Sequence, residues 1–549
     1  MPPPSHLTAP AERTTHLLER LEGLAGRRLG ALILFCVALG VYALEAVAWP
    51  LMSGRDLDEY LLAYVQLTDS HPLLPWALLF RTPVTPVVAG GILDLGGGIL
   101  AEPLAAVLYA GSIVAWSAAA LAFGRRAALA VAAALLVYPG YALMFHELAS
   151  EIVMAAAFAG WAVLVVRAAW APSARAFGLA GLGVALLALI RPGNVMLLGL
   201  VALALVLRAA WRTRIGWAAA FLAAAALPLA AWAVNNGVRY GEWTLARGGN
   251  AVVPFYRAFV TDRIISPDNG PASRRLAEAV RTNLLTREPY RSYGVTMDDV
   301  FTSGSFRIHE DLYVLSDQVF GWNSAYSTLR DAAFEGIQAH PATYASGVAT
   351  TVWQQLWRPA YRTPAPTPAP AAAPRGRTTA RRGALPPPTE GEPIPAGQNA
   401  WISRSDGRIR QVWTSPTDYR FEFLDPADRP RFRKIVSEEG RLEGNLPDRR
   451  GNQTLLHRLN QLSRWFPRPV LWLLLGAVAV GVRRPRGAAA LVALALSALA
   501  VVVFNALGLF TDAHFVLPVA PAFVLFGLAG LLGERRRAAD SQAERTRPA

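Results

Sequence analysis

The densest chemistry in this chain is the run Arg55-Asp56-Leu57-Asp58-Glu59, which directly follows the first long apolar segment. Three carboxylates at a membrane–water boundary repel one another, so a fold gathers them there only for a reason. An apolar boundary pushes a carboxyl toward its protonated form, which suits a base that takes a proton from a hydroxyl. The same oxygens are hard ligands for Mg²⁺ or Mn²⁺, with Asp56 and Asp58 the pair to hold one. At helical spacing Asp56 and Glu59 share a face and Asp58 does not. The structural alternative is that one of the three caps the helix starting near Tyr60.

A second set of polar residues sits at the ends of later apolar segments: His146, Glu147, Glu151, Arg191, Asn194, Asn235, Asn236 and Arg239. His514, in Thr511-Asp512-Ala513-His514, opens the last apolar segment. A charge at mid-membrane costs about 2.5–3.5 kcal/mol on insertion scales, so any one of these is explained by placement at an interface. Together they would line a cavity with carboxylate, imidazole, amide and guanidinium groups. Arg191, ahead of Pro192 and between two apolar runs, is placed to hold a phosphate.

What must position these groups is a bundle of membrane helices. Of 549 residues 53% are hydrophobic, in long runs of Ala, Leu and Val, each about the length that crosses a bilayer core. The net charge of +14 comes almost wholly from Arg, Lys434 being the only lysine. Those arginines sit in short loops and one long polar stretch, which points to topology and anionic lipid head groups and not to nucleic acid. One cysteine, Cys36, makes no internal disulfide, and no Cys/His spacing fits structural zinc.

Ten spans are predicted, at 29–49, 100–124, 127–145, 150–166, 176–190, 195–207, 215–234, 470–482, 488–510 and 515–532. Six Arg clusters then share one face: Arg27-Arg28, Arg125-Arg126, Arg167 with Arg175, Arg208 to Arg214, Arg483 to Arg486, and Arg535 to Arg537. The positive-inside rule puts that face and both termini in the cytoplasm of a multi-pass inner or plasma membrane protein. The expected fold is all-α and polytopic, divided as follows. A cytoplasmic tail (1–28) leads to a transmembrane module (29–236), whose first outer loop (50–99) carries interfacial helices. A helical extracytoplasmic region (237–357) comes next, then a disordered Pro/Ala/Arg-rich linker (358–398). A small segment of unassigned fold (399–469) ends in an amphipathic helix with Leu455, Leu456, Leu459, Leu462 and Phe466 on one stripe. The last spans (470–533) and a cytoplasmic tail (534–549) close the chain.

The motifs "RDLDEYLLAYVQL", "RTPVTPVV", "HELASEIVMAAAF", "LALIRPGNVMLL", "VNNGVRYGEW", "HPATY" and "DAHFVLPVAPAF", in this order, resemble the GT-C superfamily of integral-membrane glycosyltransferases. The branch it is most similar to contains protein O-mannosyltransferases, aminoarabinose transferases and lipopolysaccharide-core sugar transferases. The resemblance implies a polyprenyl-phosphate-linked sugar donor, transfer at the outer face, and a catalytic carboxylate in the first outer loop. The family's "DE" pattern falls on Asp58-Glu59, making Asp58 the implied base, or Asp56 in a D-x-D reading. Its "SE" and "RP" positions fall on Glu151 and Arg191. The family often has Arg-Tyr where this chain has His514-Phe515. The implied acceptor is a hydroxyl of an envelope glycan, lipid or protein, with membrane lipids as further partners; a divalent cation, Mg²⁺ or Mn²⁺, is optional in this scheme. The rival classes are a lipid or small-molecule transporter and a non-catalytic envelope-assembly scaffold. Transporters commonly show repeated halves, and this chain shows none.

Overall fold

The computed structural model describes residues 23, 28–68, 76–287, 290–357, 409–413, 419–423, 429–443 and 452–534. The 358–398 linker and most of both tails lie outside the described residues.

The first half runs α1 (Arg28–Ala48), β1 (Met52–Ser53), α2 (Leu57–Thr68), α3 (Trp76–Phe80), α4 (Val84–Leu121), α5 (Arg125–Leu136), α6 (Pro139–Met144) and β2 (Glu147–Leu148). It continues through α7 (Ser150–Trp170), α8 (Ala174–Ile190), a 3₁₀ segment (Pro192–Leu200), α9 (Val201–Val206) and α10 (Trp211–Tyr240). A helical block follows: α11 (Gly249–Tyr256), α12 (Pro271–Ala279), α13 (Tyr290–Tyr293), α14 (Met297–Thr302), α15 (Phe306–Phe320), α16 (Ser327–Ala339) and α17 (Pro341–Trp357). Then come β3 (Ile409–Trp413), β4 (Tyr419–Phe423), α18 (Arg429–Glu443), α19 (Gln453–Trp465), α20 (Pro469–Arg483), α21 (Ala488–Gly508) and α22 (Ala520–Leu532).

Among the described residues six helical stretches are long and apolar enough to cross a membrane: 28–48, 84–121, 150–170, 211–240, 453–483 and 488–508. Three shorter apolar helices, at 174–190, 192–206 and 520–532, fill the remaining places. The ten predicted spans therefore reduce to six of full length. The predicted span 127–145 is broken at Val137-Tyr138, because Pro139 cannot donate into the preceding helix and restarts it as α6. Arg191-Pro192 likewise ends α8, and the chain re-enters as a 3₁₀ turn. Leu32, Leu44, Val47, Leu227 and Leu496 face outward from their helices, as lipid-facing positions do.

α4 merges two predicted pieces. Its 38 residues bend at Gly97, whose φ of 57° a side chain adopts only at a cost, so the two pieces meet at a glycine hinge. Helix α18 packs over this hinge and against α2 and β1, burying Ile435 and Leu442. Ser53 Oγ donates to Glu439 Oε1 (3.0 Å), and Lys434 Nζ donates to the Asp94 carbonyl (2.6 Å). Part of the segment the sequence left unassigned thus returns to the first loop, and β3 and β4 form an antiparallel hairpin. The predicted Leu stripe of α19 divides: Leu456 and Leu459 are buried while Leu462 faces out. Phe466 stacks on Tyr138, ring centroids 3.7 Å apart.

The helices share one apolar core, and the helical block has its own around Phe255, Phe259, Leu276, Leu312 and Leu329. Arg257, fully buried, joins the two. It grips Asp262 through Nε and Nη2 (both 2.9 Å), while Nη1 donates to Thr351 Oγ1 (2.8 Å) and to the carbonyls of Ala506 and Leu509 (both 2.9 Å). Those carbonyls belong to the end of α21, where no helical donor remains to satisfy them.

Candidate functional site

The first loop is anchored by a two-residue parallel bridge, Met52 opposite Glu147 and Ser53 opposite Leu148. The bridge continues as Gly54 N donating to the Leu148 carbonyl (3.2 Å). A Cβ at Gly54 would lie 2.6 Å from that of Ala149, so only glycine permits this approach. Asp56 then takes a left-handed turn (φ 57°) and its carbonyl accepts from Tyr60 N (3.1 Å), starting α2 at Leu57 and not near Tyr60. Asp carries this conformation better than most residues, at about 1 kcal/mol.

That turn separates the three acids. Asp56 lines a cavity of about 500 Å³, while Asp58 is exposed on the first turn of α2 and does not line it. Glu59 points back to Arg81, accepting from Nη2 (2.5 Å) and Nε (3.1 Å). Burial pushes Glu59 up, to about 7, against the nearby Arg81 charge. Arg81 Nη2 also reaches Asp56 Oδ2 (3.2 Å), and Arg55 Nε lies 3.8 Å from Asp56 Oδ1. The expectation that Asp58 faces the site is corrected here: the i, i+2 spacing from Asp56 turns it outward. The expected Asp56–Asp58 metal pair is separated in the same way. Among the described residues no group of three or more His, Cys, Asp or Glu is placed to hold a metal ion.

The opposite wall comes from the "SE" and "RP" motifs. Arg191 donates through Nε and Nη2 to Ser150 Oγ (3.0 and 2.8 Å) and pairs closely with Glu151. Its Nη1 makes no hydrogen bond among the described residues. Asn194 lines the cavity too, with Nδ2 on the Leu187 carbonyl (2.9 Å) and the Met154 sulfur (3.2 Å).

Other predicted residues lie elsewhere. His146 is fully buried behind the site, stacked on Tyr42 at 4.0 Å, with neither ring nitrogen hydrogen-bonded. Burial lowers it to about 3, so it is neutral. Glu147 and His514 pair with one another (3.0 Å) outside the cavity lining. Arg239 is exposed on the last turn of α10, over Tyr240, and takes no part.

Three arginines that line the cavity were given no role at the site from sequence: Arg55, Arg81 and Arg247. Arg247 grips Asp317 with Nη1 (3.1 Å) and Nη2 (2.6 Å) and Glu242 with Nε (2.9 Å), its guanidinium centre 3.5 Å from the Trp322 ring centroid. Arg81 had a legible signal, a lone charge between two apolar runs that cannot themselves span. Arg247, in an ordinary-looking loop, had none.

The charged lining is four guanidinium groups, from Arg55, Arg81, Arg191 and Arg247, against two carboxylates, Asp56 and Glu151. Beyond this polar end the walls turn apolar: Val195, Met196, Val253, Val501, Phe504 and Leu509 form a gallery between the 3₁₀ segment, α11 and α21. The arrangement fits an amphiphile with an anionic head and an apolar tail, beside a carboxylate able to accept a proton. No protein-family model, curated protein or solved structure matches this chain.

Proposed function

We propose that the chain is a GT-C type membrane glycosyltransferase that moves a sugar from a polyprenyl-phosphate donor to an acceptor hydroxyl at the outer face of the membrane. The observation that carries this reading is a cavity in which four guanidinium groups, one carboxylate on a left-handed turn and an apolar gallery meet.

In this reading the isoprenoid tail occupies the gallery and the phosphate lies against Arg191 and Arg81, whose Nη1 groups make no hydrogen bond among the described residues. Asp56, and not Asp58, takes the proton of the acceptor hydroxyl as its oxygen attacks the anomeric carbon. The bond from that carbon to the phosphate oxygen breaks, and the lipid phosphate leaves as an anion. No proton need be given to the leaving group, because fixed guanidinium groups stabilise the charge as it develops. The proton ends on Asp56 and passes to solvent.

The test is incubation of the purified full chain, in lipid nanodiscs, with synthetic polyprenyl-phosphate sugars and an alcohol or envelope-glycan acceptor. Polyprenyl phosphate should appear in step with glycosylated acceptor. Tight binding of donors with no release of lipid phosphate across a panel of sugars and acceptors would turn the reading toward transport or scaffolding.

A further inference from the structure

We propose that His514 is a positioning residue: held between Asp512 and Glu147, it fastens the turn before α22 to β2 and, through Asp512 and Arg55, sets Asp56 at the cavity. This rests on the reading of Asp56 as the base.

The geometry is a continuous chain of charges. Asp512 Oδ1 accepts from the His514 backbone N (3.1 Å) and faces Nδ1 of the same residue (2.8 Å). Nε2 faces Glu147 Oε2 (3.0 Å). Each ring nitrogen thus meets a carboxylate, and only the imidazolium can donate to both. Asp512 Oδ2 lies 3.7 Å from Arg55 Nη1, and the Arg55 guanidinium sits 5.0 and 5.2 Å from the rings of Phe510 and Phe515. Arg55 in turn faces Asp56.

The β1–β2 bridge holds the first loop by two residue pairs only. The clamp adds a tie between β2, the 512–514 turn and the residue before Asp56. Glu147, Glu151, Asp512 and Arg55 are the charged groups whose fields meet here, and three are acidic. Burial would lower His514, but the Asp512 and Glu147 contacts hold it up at about 10; burial would raise Asp512, but the His514 contacts and the Arg55 charge hold it down at about 2. Losing the cation removes the tie between Asp512 and Glu147, so the 512–514 turn and the Arg55 it faces are no longer fastened to β2.

The test uses the full chain in nanodiscs with Cys36→Ala and a nitroxide on Asp58→Cys, an exposed site on the turn after Asp56. His514→Gln should mobilise the label and lower kcat about 100-fold with donor KM within about twofold, since a misplacement near 1 Å costs that much. His514→Arg, a cation with several donors, should restore both in large part. Solid-state ¹⁵N spectra of histidine-labelled protein should show an imidazolium that persists at pH 8–9, absent in His514→Gln. A raised KM with kcat intact would make His514 a substrate ligand, and an unchanged label and rate would remove the clamp. If His514→Gln does not fold, Asp512→Asn should reproduce the mobile label and His514→Arg should not. If the wild type transfers no sugar, the enzyme reading fails, while the label and the nitrogen spectra still decide the clamp.

Discussion

Replacing Asp56 with Asn separates charge from shape at this site. Asn adopts the left-handed conformation as readily as Asp, so the turn at φ 57° survives; Ala there would add about 1 kcal/mol of strain. The lost ion pair with Arg81 is partly exposed, the Asp56 side chain at 39%, so it contributes about 0.5–1 kcal/mol to stability. Asp56→Asn should therefore fold and expose its cavity as the wild type does. Removing a general base lowers the rate about 10²- to 10⁴-fold, or about 3–5 kcal/mol in the barrier. Asp58→Asn, on an exposed helix turn, loses only a favourable dipole contact of about 0.3–1 kcal/mol and should leave the rate intact. Single-turnover release of polyprenyl phosphate, measured beside a melting curve for each variant, reads both effects. An active Asp56→Asn with a dead Asp58→Asn would refute the assignment and return the base to Asp58.

Three further outcomes follow from the geometry. Glu335 accepts from Ala272 N (2.9 Å), Ser273 N (2.8 Å) and Ser273 Oγ (2.7 Å) at the start of α12, so Glu335→Ala should cost about 1–2 kcal/mol in thermal unfolding. Burial would raise this carboxyl, but those donors hold it below its ordinary 4.5, so its contribution is whole above that pH and fades as pH falls further; the mutant's deficit should shrink in acid. Arg247→Lys loses the two-pronged grip on Asp317 and the stacking on Trp322, and limited proteolysis should find the helical block weakened by about 2–4 kcal/mol. Val253→Trp places an indole in the gallery and should raise KM for long-chain donors about tenfold, and for short-chain donors less.

The legible part of this molecule was what periodicity and charge write into a chain. Long apolar runs gave the full-length helices, and the region expected to be helical, 237–357, holds α11 to α17. The motifs bearing Asp56, Glu151, Arg191 and Asn194 do converge on one cavity, although far apart in sequence. Failures came where one backbone angle decides direction. Spacing could not show that a left-handed turn at Asp56 would send Asp58 outward. Nor could it show that Glu147 and His514, adjacent to the cavity in chain terms, would satisfy one another, or that His146 would face the opposite way into the core. Apolar length alone did not show that a proline within or beside a run shortens the helix without changing its hydropathy.

The Arg257 staple has a mechanical consequence. The side chain that closes the end of α21 is rooted in the block carrying α11, so any push on that block is delivered straight to the backbone at Ala506 and Leu509. Asn505 and Gly508, neighbours of these carbonyls in the chain, stand in the wall of the cavity. Under the proposed function, an acceptor docking on the block would bear on the wall of the donor's channel through this one side chain.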